Sequence, residues 1–141
     1  MLPMKGRILC VDDNIDTSLM VSILLRQQGY EVTLAGSFAE GLNLAKSEGF
    51  DLYLLDNKLP DGNGLELCRI LREFAPQTPV VFHTAAAYEA DRKHGLAAGA
   101  DVYLTKPQGI DSLPDVIAQL INHGPKAFAL ESLQQYSYLN C

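Results

Sequence analysis

Asp12 and Asp13 close the run ILCVDD, Asp56 closes FDLYLLD, Thr84 closes PVVFHT, and Lys106 follows DVYLT. Three carboxylates, a hydroxyl and an ammonium thus each stand at the C-terminal end of a short apolar stretch. Parallel sheets place ligands in the crevice outside the carboxyl ends of their strands. Neighbouring strands would therefore bring these five side chains to one point. Three carboxylates gathered together repel one another unless a hard cation sits among them. Mg²⁺ suits such a set, because it takes oxygen ligands and keeps room for waters and phosphate. The lysine and the hydroxyl would complete a cradle for a phosphoryl group, so the pattern reads as phosphate chemistry.

The elements that must position these residues alternate strand and helix five times. The strand patterns are RILCV (7–11), EVTLA (31–35), LYLL (52–55), VVFH (80–83) and VYLT (102–105). The later ones are continuous apolar runs, as in a sheet covered on both faces. Between them, Ile15, Leu19 and Ile23 recur at four-residue spacing and mark a first helix that Gly29 ends as a left-handed cap. Ser37 and Glu40 form a capping-box signature for a second helix that buries Phe38, Leu42 and Ala45. Pro60, Gly62 and Gly64 predict a long turn, followed by a helix over about 65–74 anchored by Leu67, Ile70 and Leu71. The fourth helix is weakly patterned and reads as a loosely held element. Ser112 and Asp115 predict a second capping box, opening a helix that turns Val116, Ile117, Leu120 and Ile121 inward. Right-handed βαβ crossovers then give an α/β fold, a doubly wound parallel five-stranded sheet.

Size and composition narrow the function classes. The chain has 141 residues, 48% hydrophobic and 20% charged, enough for one well-buried domain. Its net charge of −6 argues against direct nucleic-acid binding, which needs clustered Lys and Arg. No run approaches a membrane span. Its 3 cysteines lack metal-ligand spacing and point to a reduced, cytoplasmic setting. Residues 1–124 are expected to form the domain. Residues 125–141, where Ala129, Leu133 and Tyr136 share one helical face, are expected to be an extra helix or a linker.

VDD, LLDNKLPDGNG, HTA and GADVYLTKP, in this order within a (βα)₅ periodicity, resemble the receiver domain of two-component response regulators. The resemblance spans about residues 5–124 and implies a flavodoxin-like sheet of strand order 2-1-3-4-5. It implies that Asp56 is the phosphoacceptor for a histidine kinase or histidine phosphotransfer protein. Asp12, Asp13 and the backbone carbonyl of Lys58 match the Mg²⁺ ligands, together with Asp56. Thr84 matches the switch hydroxyl, Tyr103 the aromatic switch and Lys106 the phosphate-binding lysine. Pro60, Gly64 and Pro107 match structural positions, the last with a cis bond to Lys106. The fourth helix, fifth strand and fifth helix would form the surface that switches binding of a downstream protein, and a homodimer stays open. Such a protein turns over no external substrate.

Simpler readings stand beside these. Asp12, Asp13 or Asn14 would also serve as a helix cap, Asp56 as a turn residue, and Lys106 as a surface lysine. Thr84 would also serve as an ordinary β-branched strand residue, and Tyr103 as a half-buried aromatic with its phenol in water. Three positions depart from the family pattern. His83 replaces an aliphatic residue and reads as a buried, hydrogen-bonded histidine; Asn57 is polar; Gln108 replaces an aromatic. A haloacid-dehalogenase-like phosphatase would want an aspartate where Lys58 stands.

Overall fold

The computed structural model describes residues 4–124, and the extra helix or linker expected at 125–141 lies outside the described residues. Five strands, β1 (Gly6–Val11), β2 (Tyr30–Ala35), β3 (Leu52–Leu55), β4 (Val80–Thr84) and β5 (Val102–Thr105), form one parallel sheet. Its order is β2-β1-β3-β4-β5, as the resemblance implied. Five helices connect and follow the strands: α1 (Ile15–Gln27), α2 (Phe38–Ser47), α3 (Gly64–Phe74), α4 (Glu89–Ala97) and α5 (Leu113–His123).

The apolar strands divide their side chains between two cores. Ile8, Leu54, Val81 and Leu104 face Val21 and Leu25 of α1 and Val116 and Ile117 of α5. Leu9, Leu55, Phe82 and Tyr103 face Ala45 of α2, Leu67 and Leu71 of α3, and Ala98 just beyond α4. Successive strand residues point to opposite faces, so near-continuous apolar runs are what a doubly covered sheet requires. Truncating a side chain such as Leu104, which is fully buried, would cost about 2–5 kcal/mol.

The helix starts show which local signals were sufficient. Asn14 caps α1, accepting from Thr17 N, and Ser37 caps α2, accepting from Glu40 N at 3.1 Å. The Glu40 carboxylate accepts from Gly36 N, one residue before the cap. The capping box expected at Ser112 and Asp115 does not form. A 3₁₀ turn, Gln108–Asp111, runs straight into α5, so Ser112 already has helical dihedrals and makes no side-chain cap bond. The long turn after β3 contains a two-residue antiparallel hairpin, Lys58–Leu59 against Gly62–Asn63, and Asn63 then caps α3. Of the expected α3 anchors, Leu67 and Leu71 are buried; Cys68 is buried beside them, while Ile70 is half-buried. Gly29 takes the expected left-handed conformation, with φ +99°.

α1 turns an unexpected face to the sheet. Its buried residues are Ser18, Val21, Ser22 and Leu25, whereas Ile15, Leu19, Met20 and Ile23 are exposed. Both serines satisfy their hydroxyls locally, Ser18 on Asp12 O and Ser22 on Leu19 O, which makes their burial tolerable. Among the described residues, no helix is long and apolar enough to cross a membrane.

Candidate functional site

Three of the expected site residues are fixed by a backbone bond just beyond their strands. Asp12 N donates to Ala35 O at 2.9 Å, Asp56 N to Val11 O at 2.9 Å, and Lys106 N to Thr84 O at 2.8 Å. The parallel ladder thereby continues past the apolar runs and aligns their polar ends along one edge of the sheet. Beneath Asp56 the chain turns sharply at Gly64, whose N–H donates to Asn57 O at 2.7 Å. A Cβ on Gly64 would collide with the carbonyl oxygen of Asp56 and come within 2.8 Å of the Phe82 ring. Only glycine permits this approach.

At that edge, carboxylate oxygens of Asp12, Asp13 and Asp56 all lie within 4.8 Å of one another. Lys106 Nζ donates to Asp12 Oδ2 at 2.8 Å and to Asp56 Oδ2 at 3.1 Å, tying two of the three together. Asp12 also accepts from Asn14 N at 2.9 Å. Asp12 and Asp56 are buried, while Asp13 is exposed. The Lys106–Pro107 bond is cis, as expected. Asp13, Asp56, Lys58, Thr84 and Lys106 line one open cleft of about 680 Å³, with Ala85 and Ala86 forming a small-residue wall beside Thr84. The surface-lysine reading of Lys106 and the turn reading of Asp56 do not describe this arrangement.

The charges follow from burial and pairing. Burial raises the Asp12 carboxyl above its usual range, against the opposing hydrogen bond from Lys106. Burial pulls Lys106 down, but its hydrogen bond to Asp12 and the charge of Asp56 outweigh that and raise it overall. Burial pushes the Cys10 thiol to about 12, with Asp12 adding to the effect, so this nearby sulfur stays protonated and is no nucleophile. His83 is buried and pushed down to about 4, chiefly by burial and then by Lys106. The expected hydrogen bonding of His83 is not seen at its buried Nε2, which has no partner. Strand alternation puts His83 on the α1/α5 side, among apolar residues such as Val81.

Tyr103 differs from the half-exposed reading. It is 3% exposed, stacks obliquely on Phe82 with ring centroids 5.6 Å apart, and donates its phenol to Ala86 O at 2.6 Å. Burial, followed by the charges of Asp91 and Asp56, pushes its pKa to about 12. Thr84 is also buried, its Oγ1 accepting from Ala86 N at 3.3 Å.

Asp61 was not singled out from the sequence. Its carboxylate accepts from Phe38 N at 2.7 Å and Ala39 N at 3.0 Å, which holds it below the ordinary carboxylate range. It clamps the hairpin that carries Lys58 to the N-terminus of α2. The Asp-Gly pair at 61–62 signals a turn but does not reveal the helix it reaches.

Comparison with known proteins agrees with this geometry. Residues 8–118 match the family model described as the response regulator receiver domain. The chain is 38% identical over 136 residues to the uncharacterized transcriptional regulatory protein YkoG of Bacillus subtilis, covering 96% of this chain and 60% of that one. It is 41% identical over 119 residues to a probable transcriptional regulatory protein of Picosynechococcus, covering 79% of this chain and 47% of that one. The chain thus spans roughly half to three fifths of these relatives. A solved CheY-like receiver domain from Methanospirillum hungatei superposes with TM-score 0.80 at 34% identity, over 86% of this chain and 98% of that one. The BeF3-activated DrrB receiver domain superposes with TM-score 0.79 at 32% identity, over 86% and 100%. With motif order, strand order and the acidic edge all in agreement, the chain belongs to the response regulator receiver domain family.

Proposed function

We propose that residues 1–124 act as a phospho-accepting switch in two-component signalling, with Asp56 taking a phosphoryl group from a phosphohistidine donor. The observation that carries this reading is the grip of Lys106 on both Asp12 and Asp56, beside the third carboxylate of Asp13. A hard oxygen donor set fits Mg²⁺, and Asp12, Asp13, Asp56 and the backbone carbonyl of Lys58 would hold it. When bound, the ion supplies charge neutralisation and Lewis acidity. Asp56 Oδ forms the new P–O bond as the donor's N–P bond breaks, and the departing imidazole keeps the electron pair. Phosphoryl transfer asks mainly for positioning and charge stabilisation, which the ladder-anchored strand tips provide.

The added phosphoryl group carries roughly −1.5 to −2 charges and three acceptor oxygens. Lys106 then exchanges carboxylate oxygens for phosphoryl oxygens, and the Thr84 hydroxyl turns toward the new acceptor. That exchange biases α4, β5 and α5 toward a second arrangement that a downstream protein reads. The donor, a histidine kinase or histidine phosphotransfer protein, would approach over the exposed apolar residues of α1, Ile15, Leu19 and Met20, which start beside Asp13. The protein would catalyse only its own phosphorylation and dephosphorylation, in the cytoplasm, without contacting nucleic acid through this domain.

Incubation with Mg²⁺ and acetyl phosphate is expected to add one alkali-labile phosphate per chain, and chelation of the metal to prevent it. Uptake that ignores chelation, or multiple turnover of a phosphomonoester, would overturn the reading.

A further inference from the structure

The hairpin that follows β3 is too short to hold itself. It pairs Lys58 with Asn63 and Leu59 with Gly62, and of residues 58–63 only Leu59 is buried. A two-stranded ribbon is marginal in water even when it is much longer. Its position must therefore come from outside, and that position matters, because Lys58 at its start lines the cleft with Asp13 and Asp56.

The outside support is the first turn of α2. The Asp61 carboxylate accepts from Phe38 N at 2.7 Å and Ala39 N at 3.0 Å, while Ser37 Oγ takes the next amide, Glu40 N, at 3.1 Å. The opening amides of α2, which have no partner inside the helix, are thus divided between a local residue and one from the hairpin. Bonds from backbone N–H to a carboxylate at a helix start are charge-assisted and gain from the helix dipole. They hold the Asp61 carboxyl below its ordinary range although it is exposed. Gly62 presses on the same turn. A Cβ there would stand 2.9 Å from Phe38 Cδ2, and the φ of Gly62 is not positive, so close approach and not conformation calls for glycine. Two consecutive hairpin residues are therefore fitted to one turn of a helix on which the metal site does not otherwise draw.

We propose that Asp61 is a positioning residue for Mg²⁺: it seats the hairpin, and with it the Lys58 carbonyl, on the start of α2, and so couples metal binding to the order of that helix turn. This rests on Lys58 being a metal ligand and not on the transfer of phosphate. Coupling is reciprocal, so whatever Asp61 lends to the metal, the metal lends to the two amides.

Mg²⁺ titration of the 141-residue chain without any phosphodonor, followed by calorimetry and amide exchange, tests it. Asp61→Ala is expected to weaken Mg²⁺ affinity about tenfold, the low end for losing a residue that orients a ligand. Asp61→Asn keeps one acceptor oxygen and should fall between the two. In the unaltered chain Mg²⁺ should slow exchange at Phe38 and Ala39, and in Asp61→Ala it should not. Ser37→Ala removes the helix's own cap and leaves the hairpin bonds in place, so it should loosen α2 and leave the affinity as it was. Equal affinity in Asp61→Ala and the unaltered chain, equal weakening in Ser37→Ala, or exchange at the two amides that ignores Mg²⁺ would overturn the proposal. Should Asp61→Ala not fold, Asp61→Asn carries the comparison, and an unaltered affinity there overturns it. An unaltered chain that binds Mg²⁺ but takes no phosphate from acetyl phosphate would sink the phosphorylation reading and leave this one to the titrations. An unaltered chain that binds no Mg²⁺ would sink both.

Discussion

Thr84 and Tyr103 hold the two ends of a single residue: Thr84 Oγ1 accepts from Ala86 N at 3.3 Å, and Tyr103 donates to Ala86 O at 2.6 Å. The hydroxyl expected to meet phosphate and the aromatic expected to move are thus joined through one backbone unit. Tyr103→Phe and Thr84→Val should each cost roughly 1 kcal/mol, the usual net worth of a hydrogen bond. Because both bonds end on Ala86, the double variant should depart from additivity by about 0.5 kcal/mol or more. Strict additivity in urea denaturation would show that Ala86 does not couple them.

Asp61 fixes the hairpin to α2 through two N–H bonds. Asp61→Ala is expected to speed amide exchange at Phe38 and Ala39 and to weaken Mg²⁺ binding, since the clamped hairpin begins at Lys58. Protection at those two amides matching the unaltered chain would contradict the clamp.

His83 supplies a pH dependence. Its folded value, about 4, lies below the ordinary 6.5, so the native state binds fewer protons than the unfolded state between those limits. Stability from neutral His83 is complete above about pH 6.5 and is lost as pH falls toward 4. The loss should be roughly 2 kcal/mol at about pH 5, and His83→Leu should remove that share of the slope. Parallel pH profiles for the two proteins would refute it.

Arg72 staples α3 to the opposite end of the sheet. It donates to Gly99 O at 2.9 Å and Asp101 Oδ2 at 2.8 Å, and also to Thr78 O, while Asp101 accepts from Val80 N at 2.9 Å. Arg72→Met should cost roughly 2–4 kcal/mol by leaving Asp101 and two carbonyls poorly satisfied. Phosphate uptake, at the far edge, should persist at a denaturant concentration where the variant stays folded. Loss of uptake there would show that this staple reaches the site.

The C-terminal strand tips were legible because a parallel strand covered on both faces is apolar until it ends. Asp12, Asp56, Thr84 and Lys106 stand out where the runs stop, and the five-fold alternation fixes which tips adjoin. The orientation of α1 was not legible. A four-residue apolar spacing marks a helix but does not say which face the sheet takes, and Ser18 and Ser22 can be buried because backbone carbonyls accept their hydroxyls. Ser112 misled because its cap depends on the dihedrals of the preceding turn, which a 3₁₀ segment made helical. Asp61 acts on Ala39, 22 residues away, and no local pattern marks such a contact.

The central claim is that Asp56 itself carries the phosphate. Peptide mapping after borohydride reduction of the acetyl-phosphate-treated, Mg²⁺-loaded protein tests it most directly. Modification should appear at Asp56 in the unaltered chain and vanish in Asp56→Asn, while Asp13→Asn should slow its appearance without moving it. A phosphate that persists in Asp56→Asn, or that maps to Asp12, Asp13 or a histidine in the unaltered chain, would contradict the account.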